Sequence, residues 1–237
     1  MTEIISQLGS VHRAIGERAI PAGDARTVLL RRSYAAPVDE VWTAITDPDR
    51  IGRWFLPVTG DLRRDGRFQL EGNISGTVQR CQPPRLFTLT WVLGGSPASE
   101  VEVRLAPEAG GTLLELEHAA LVDERFWAEF GPGATGVGWD LALLSLHLHL
   151  SGEAIPIDDP ATSQHSPEFT GLAAESSRAW GAALAAAGAT PAEVTTAVEH
   201  SVALYAPPAR MFATRSWMRA SRAAFLRHFV SPSGVRG

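Results

Sequence analysis

The chain has 237 residues, 45% hydrophobic and 20% charged, a composition that excludes a fibrous repeat or wholesale disorder and predicts a packed core. No apolar run approaches the roughly 18 residues of a membrane-spanning helix, and the first residues lack the pattern of a secretion signal. We therefore expect a cytoplasmic protein. The single cysteine, Cys81, rules out an internal disulfide and multi-cysteine metal sites, and it is expected to be a small buried residue.

Charge is distributed unevenly along the chain. The net charge is −5, yet residues 201–237 contain six arginines and no acidic residue. The first 200 residues hold the other 15 arginines against all 26 acidic residues, which argues against nucleic-acid binding by the main body. The arginine-rich segment is compatible with an acidic partner, through Arg215, Arg219 and Arg222. The simpler explanation is that it packs on its own domain or on a second subunit.

The N-terminal region is predicted to begin with an amphipathic helix or arm, because the apolar residues of segment 3–16 fall on one helical stripe. From Arg26 the pattern becomes that of a strand, which stops at Pro37. A short helix over residues 38–45 follows, with its apolar side chains on one face.

A second short helix is predicted directly after the first. Asp47 is suited to cap its N-terminus, and Pro48 fits the first helical position, where no backbone N–H is needed. The helix would carry Trp54 and Phe55 at its end.

After Pro57 the chain is predicted to form an antiparallel meander of short strands separated by glycine- and proline-rich breaks. The predicted ranges are 60–65, 67–73, 75–82, 85–93, 99–106 and 111–119. In the last strand, alternation places Leu114, Leu116 and His118 on the inward row. An inward imidazole either makes internal hydrogen bonds or faces a cavity, and both alternatives stay open.

Bulky aromatic residues recur through these elements, and as a set they favour an apolar pocket, although each alone fits an ordinary core. The set comprises Trp42, Trp54, Phe68, Phe87, Trp91 and Trp139. No two carboxylates are placed as an acid–base pair, because Glu115 and Glu117 fall on the outward row. Spacing alone therefore predicts no catalytic site.

The apolar segment 139–150 predicts a long buried helix, although its LHLHL end is also compatible with a strand. On a helix, His147 and His149 lie about 200° apart and cannot share a metal ion, so no metal site is predicted. The preceding GPGATG satisfies the pattern GxGxxG. Because no βαβ unit surrounds it, we interpret it as a flexible loop entering the helix, not as a nucleotide site.

The C-terminal region is predicted to be helical. An alanine-rich helix covers residues 168–187, and Thr190, Pro191 and Glu193 supply a capping box for a second helix that ends near Tyr205. A third helix would follow. The resulting division is an N-terminal helical arm (1–25), a main domain (26–152), a linker (153–166) and a helical extension (167–237).

The order of strand, two short helices, meander and long helix resembles the helix-grip fold of the SRPBCC superfamily, which includes START-type lipid carriers and birch-pollen-allergen proteins. Five motifs sharpen the resemblance to homologues of the activator of heat-shock protein 90 ATPase. They are APVDEVWTAITDPDRIGRWF, GDLRRDGRFQLEG, GTVQRCQPPRLFTLTW, GTLLELEH and GVGWDLALLSL. The match spans about residues 26–152.

The resemblance implies an α+β helix-grip fold, in which a curved antiparallel sheet wraps around the long helix and leaves an apolar cavity. The predicted all-helical C-terminal extension falls outside the resemblance. Carried over by position, the ligand-binding candidates are Trp54, Phe55, Phe68, Trp91, His118, Trp139 and Leu143. The implied function is binding of a small hydrophobic molecule without a cofactor. Two alternatives are a co-chaperone-like partner-binding protein and a cyclase- or hydrolase-like enzyme that uses His118. The C-terminal helices would cap the cavity or form a homodimer.

Overall fold

The computed structural model describes residues 2–94, 96–97, 99–153 and 166–206, with side chains from residue 6 onward. Its helices are α1 (Thr2–Gly9), α2 (Val38–Thr46), α3 (Pro48–Trp54), α4 (Glu124–Phe130), α5 (Gly133–Ser151), α6 (Pro167–Ala186) and α7 (Pro191–Tyr205). Its strands are β1 (His12–Ile20), β2 (Gly23–Tyr34), β3 (Val58–Gly60), β4 (Arg67–Leu70), β5 (Ile74–Gln82), β6 (Leu86–Leu93), β7 (Ser99–Glu108) and β8 (Gly111–Ala120). Within these ranges no helix is both long and apolar enough to cross a membrane.

The strands form one curved antiparallel sheet of eight, in the order β1-β2-β8-β7-β6-β5-β4-β3. Alternation along the strands puts one apolar row on the inner face, for example Val101 and Val103 on β7 beside Leu114 and Leu116 on β8. The long helix α5 packs against this face and buries Leu146 completely. The predicted helix-grip architecture, with helices after the main domain, is confirmed.

The N-terminal region differs from its prediction. Helix α1 ends at Gly9, and residues 12–20 form strand β1, which pairs with β2 through the two-residue turn at Pro21 and Ala22. Pairing with β2 satisfies the backbone of β1 over nine positions, so the sheet overrides the helical stripe. The predicted helix over 3–16 is therefore wrong from residue 12 onward.

Two further segments have a structure that differs from the predicted one. The predicted strand 60–65 is replaced by the three-residue strand β3 and a turn, in which Asp61 accepts a hydrogen bond from the backbone N–H of Arg63 at 3.0 Å. The glycine-rich segment interpreted as a flexible loop is largely helical, because α5 already begins at Gly133. Helix α5 continues through His147 and His149, which excludes the alternative of a strand at LHLHL.

The described helices of the C-terminal extension are placed as predicted. Ser166 caps α6, and Thr190 and Glu193 form the predicted capping box at the start of α7. Helices α6 and α7 pack on α5, and α6 also contacts α1 and β1. The third predicted helix, with Arg215, Arg219 and Arg222, lies outside the described residues.

One buried ionic cluster joins the extension to the main domain. Asp140 of α5 is fully buried and accepts hydrogen bonds from Arg13 Nε of β1 at 2.9 Å, Ser176 Oγ at 2.5 Å and Trp180 Nε1 at 3.0 Å. Burial raises the pKa of the Asp140 carboxyl, and the hydrogen bonds and the charge of Arg13 oppose this shift. The cluster therefore ties three separate parts of the chain together.

Candidate ligand-binding site

A cavity of about 410 Å³ lies between the inner face of the sheet, helix α5 and the short helices α2 and α3. We call it the central cavity. Its walls are almost entirely apolar, and seven aromatic residues line it: Trp42, Trp54, Phe55, Phe68, Phe87, Trp91 and Trp139. Leu143 of α5 also lines it. Six of the seven sequence-predicted ligand-binding residues are thus brought together here, and His118 is not among the lining residues.

The end of α3 places two of these aromatic side chains. Asp47 caps α3 by accepting a hydrogen bond from the backbone N–H of Arg50, as its sequence predicted. Trp54 Nε1 donates to the carbonyl oxygen of Ala44 at 2.9 Å, which fixes the indole against α2. The Phe55 ring stacks on Trp54 with centroids 5.5 Å apart, so both predicted aromatic residues form one wall of the central cavity.

The sheet and α5 supply the facing wall. The rings of Trp91 on β6 and Trp139 on α5 lie 5.2 Å apart, and Phe55 stacks on Trp139 with centroids 6.4 Å apart. Phe68 of β4 is almost fully buried and points inward from the same sheet. These ring contacts join α3, the sheet and α5 into one continuous aromatic surface.

His118 lies behind this wall and anchors it. Trp139 Nε1 donates to His118 Nδ1 at 3.0 Å, so the ring proton must sit on Nε2, which donates to Ser99 Oγ at 2.8 Å. Ser99 in turn donates to the carbonyl oxygen of Trp91 at 2.8 Å. The two open alternatives for His118 are therefore resolved in favour of internal hydrogen bonds.

The environment of His118 opposes a role as a general base. Burial, with a smaller contribution from the positive charge of Arg18, lowers the pKa of His118 to about 4. Both ring nitrogens are already engaged, and neither faces the central cavity. The imidazole thus orients the indole of Trp139 and is linked through Ser99 to the backbone of Trp91.

Among the described residues that line the central cavity, the titratable side chains are Arg63, Arg64 and Cys81. Cys81 lines the cavity and is only partly buried, so the expectation of a small buried residue is wrong. Burial raises the pKa of its thiol, which keeps it in the less nucleophilic protonated form. The lining therefore offers no carboxylate or imidazole for acid–base chemistry or for holding a metal ion, and it is suited to apolar contact.

Comparison with known proteins agrees with this architecture. Residues 35–150 match the family model described as "Activator of Hsp90 ATPase homolog 1-like protein". The crystal structure of CalU16 from Micromonospora echinospora is 46% identical, with a TM-score of 0.60, over 74% of this chain and 98% of CalU16. The chain belongs to the activator of Hsp90 ATPase homolog 1-like family.

Two further solved structures are similar to this chain. The solution structure of CalU16 gives 46% identity and a TM-score of 0.61, over 74% of this chain and 96% of CalU16. Protein MLL2253 from Mesorhizobium loti is 24% identical over 55% of this chain and 100% of its own, with a TM-score of 0.49. No curated protein matches the sequence. The similarity to CalU16 extends beyond the segment matched by the family model.

Some lining residues of this family member were not predicted as site residues. Trp42 and Phe87 were recognised as pocket-forming aromatic residues only as part of a set, and they face each other edge-on at 6.0 Å across the cavity wall. Arg63 and Arg64 lie in the segment interpreted as a strand, which concealed that both reach the cavity. Helices α6 and α7 contribute no lining residue in their described parts, so the expectation that they cap the cavity is wrong there.

The hydrogen-bonded His118 predicts a specific pH dependence of stability. The unfolded chain has the ordinary histidine pKa of roughly 6.5, whereas the folded value is about 4, so between these values only the unfolded state takes up the proton. As the pH drops from 7 to 5, the titration of His118 should therefore lower the free energy of unfolding by about 2 kcal/mol.

Urea denaturation at a series of pH values measures this effect. The variant His118→Asn lacks the titrating imidazole. Its free energy of unfolding should therefore change less between pH 7 and pH 5 than that of the wild type. Equal pH slopes in the two proteins would show that His118 is not the buried neutral group described above.

Proposed function

We propose that this protein binds a small hydrophobic ligand in the central cavity. The observation that carries the proposal is the cavity itself, with a volume of about 410 Å³ and nearly apolar walls. Small-molecule sites in proteins typically measure roughly 300–1,000 Å³ and are lined mainly by hydrophobic and aromatic side chains. A space of this size between a sheet and a helix is far larger than the defects of an ordinary packed core.

The composition of the walls supports an apolar ligand over a polar one. Four tryptophans line the cavity, and the indole N–H groups of Trp54 and Trp139 are already bonded within the protein. A polar ligand would lose its hydrogen bonds to water without replacing them, whereas an apolar one gains roughly 25 cal/mol for each Å² removed from water. The tryptophans also suit flat aromatic surfaces, which stack on indole rings.

The alternative functions receive less support from the described residues. The cyclase- or hydrolase-like reaction would need His118 to reach a substrate, and its ring faces Ser99 and Trp139 instead. The co-chaperone-like alternative depends on partner-binding residues such as Arg215, which lie outside the described part of the chain. It stays a prediction.

A variant that fills the central cavity tests the proposal. Ala142 on α5 lines the cavity and is almost fully buried, so Ala142→Phe would place a ring in the space that a ligand needs. With phenylnaphthylamine, a neutral probe that fluoresces in apolar surroundings, we expect saturable binding by the wild type. Binding by the variant should be at least about tenfold weaker, since the loss of a few apolar contacts costs this much.

The matched control is Ala182→Phe, which makes the same change at an exposed position of α6, outside the cavity. It should bind the probe like the wild type. Circular dichroism and urea denaturation would establish that both variants are folded. Failure of the folded wild type to bind this probe or any of a panel of apolar molecules would overturn the proposal, as would equal binding by folded Ala142→Phe.

A further inference from the structure

The entrance to the central cavity is marked by its exposed lining residues. Of the residues that line the cavity, Arg63, Arg64 and Pro83 are exposed, and the others are buried or partly buried. We call these three residues the rim. Arg63 and Arg64 belong to the turn between β3 and β4, and Pro83 to the turn between β5 and β6. The rim thus places two guanidinium groups at the opening of an otherwise apolar space.

The two rim arginines differ in how far they are already engaged. Arg63 donates through Nε and Nη2 to the carboxylate of Asp61 at 3.0 and 2.9 Å. Arg64 forms an exposed ion pair with Asp65, with its Nε 3.6 Å from the carboxylate, but makes no hydrogen bond within the described residues. Its side chain is 73% exposed. The Arg64 guanidinium therefore has its donors available for an anion at the entrance.

The chain segment that carries the rim has a positive net charge in a protein that is negative as a whole. Residues 48–85, which include α3 and strands β3 to β5, contain seven arginines and four acidic residues, whereas the complete chain has a net charge of −5. Among the residues that the structure describes, no acidic side chain lines the cavity. Low-dielectric walls next to a positive entrance strengthen the local attraction for an anion.

We infer that the ligand is an amphipathic anion: a small molecule with an aromatic apolar body in the central cavity and one acidic group held by Arg64 at the rim. This inference rests on the proposed function and adds the chemical class of the ligand. A guanidinium hydrogen-bonds a carboxylate, sulfonate or phosphate oxygen through paired N–H groups. The apolar walls and the rim together would then select against neutral aromatic molecules and against small anions without an apolar body.

Two probes with the same aromatic skeleton test the inference. Phenylnaphthylamine is neutral, and anilinonaphthalene sulfonate carries one sulfonate on that skeleton. The wild type should bind the sulfonate about tenfold more tightly, as a charge-assisted hydrogen bond provides, and added salt should reduce this preference. Arg64→Gln should lose most of the preference, measured as the ratio of its affinities for the two probes, because both affinities are determined with the same variant. Arg64→Lys keeps the charge and should retain part of the preference.

Arg67→Gln is the matched control, because Arg67 is exposed on β4 next to the inward-facing Phe68 and does not line the cavity. It should behave like the wild type. Equal binding of the two probes by the wild type, or an unchanged preference in Arg64→Gln, would overturn the inference while the proposed function stands. Binding of neither probe, nor of any apolar panel molecule, would overturn the proposed function itself.

Discussion

Replacing Asp140 by alanine should lower the free energy of unfolding by about 3–5 kcal/mol, the cost of leaving the partner of a buried ion pair uncompensated. Arg13, whose side chain is only 7% exposed, would lose its counter-charge. The hydroxyl of Ser176 and the indole N–H of Trp180 would lose their acceptor in the same buried space. Each buried donor without a partner adds a desolvation cost of its own.

Urea denaturation of the wild type and Asp140→Ala measures this loss. The control is Glu115→Ala, which removes the carboxylate of a partly exposed pair with Arg31 on the outer face of the same sheet. Glu115→Ala should lower the free energy of unfolding by less than about 1 kcal/mol, because exposed ion pairs contribute little to stability. If the two substitutions lowered the free energy of unfolding by similar amounts, Asp140 would not be the residue that holds α5, α6 and β1 together.

The Asp140 cluster illustrates what the sequence does not reveal. Asp140 stands in the apolar segment 139–150, and nothing in its spacing indicates that a residue 127 positions earlier donates to it. Arg13 was moreover placed in a predicted helix, whereas it belongs to an edge strand whose pairing decides its structure. Contacts between distant segments depend on packing, which local periodicity does not encode.

Local chemistry, in contrast, was predictable. Asp47 caps α3, and Thr190 with Glu193 caps α7, because a capping residue acts only on the backbone N–H groups a few positions away. The inward row of β8 was also predicted, since a period of two fixes which side chains share a face. Outside segments 60–65 and 131–136, the strand and helix identities in the main domain follow from such short-range rules.

The structure of the central cavity was predictable only in part. Alternation predicts that His118 points inward, but it does not predict that Trp139 takes up the space in front of the imidazole. The rotamers of Trp91 and Trp139 decide whether His118 faces a cavity or a wall, and they depend on the complete packing of the sheet against α5. Six of the seven predicted residues therefore line the cavity, and what the sequence did not predict is that the seventh, His118, lies behind its wall.

Substitution of Gly136 should also have a large effect on stability. The close packing around this residue explains why the segment that precedes Trp139 is rich in glycine. A Cβ atom at Gly136 would lie 2.1 Å from the Trp180 ring, and one at Gly133 would lie 2.3 Å from Ser201 Oγ. The glycines therefore allow α6 and α7 to approach the first turns of α5. This close packing, and neither a nucleotide nor loop flexibility, accounts for the pattern GxGxxG.

Gly136→Ala should lower the free energy of unfolding by about 2–3 kcal/mol, since overpacking at a buried contact outweighs the better helix propensity of alanine. Trp180 is 1% exposed and hydrogen-bonded to Asp140, so its indole has no space into which to move. Urea denaturation measures the effect, and the second substitution Trp180→Leu should make the additional cost of Gly136→Ala much smaller.

The control is Gly171→Ala in α6, where an added Cβ would meet no atom within 4 Å. Alanine at this helical position should raise the free energy of unfolding by about 0.5–1 kcal/mol. The two glycine substitutions are thus expected to have opposite signs, although both lie within helices. If Gly136→Ala were also stabilising, the close approach of Trp180 to α5 would be refuted, and with it the packing that attaches the C-terminal helices to the main domain.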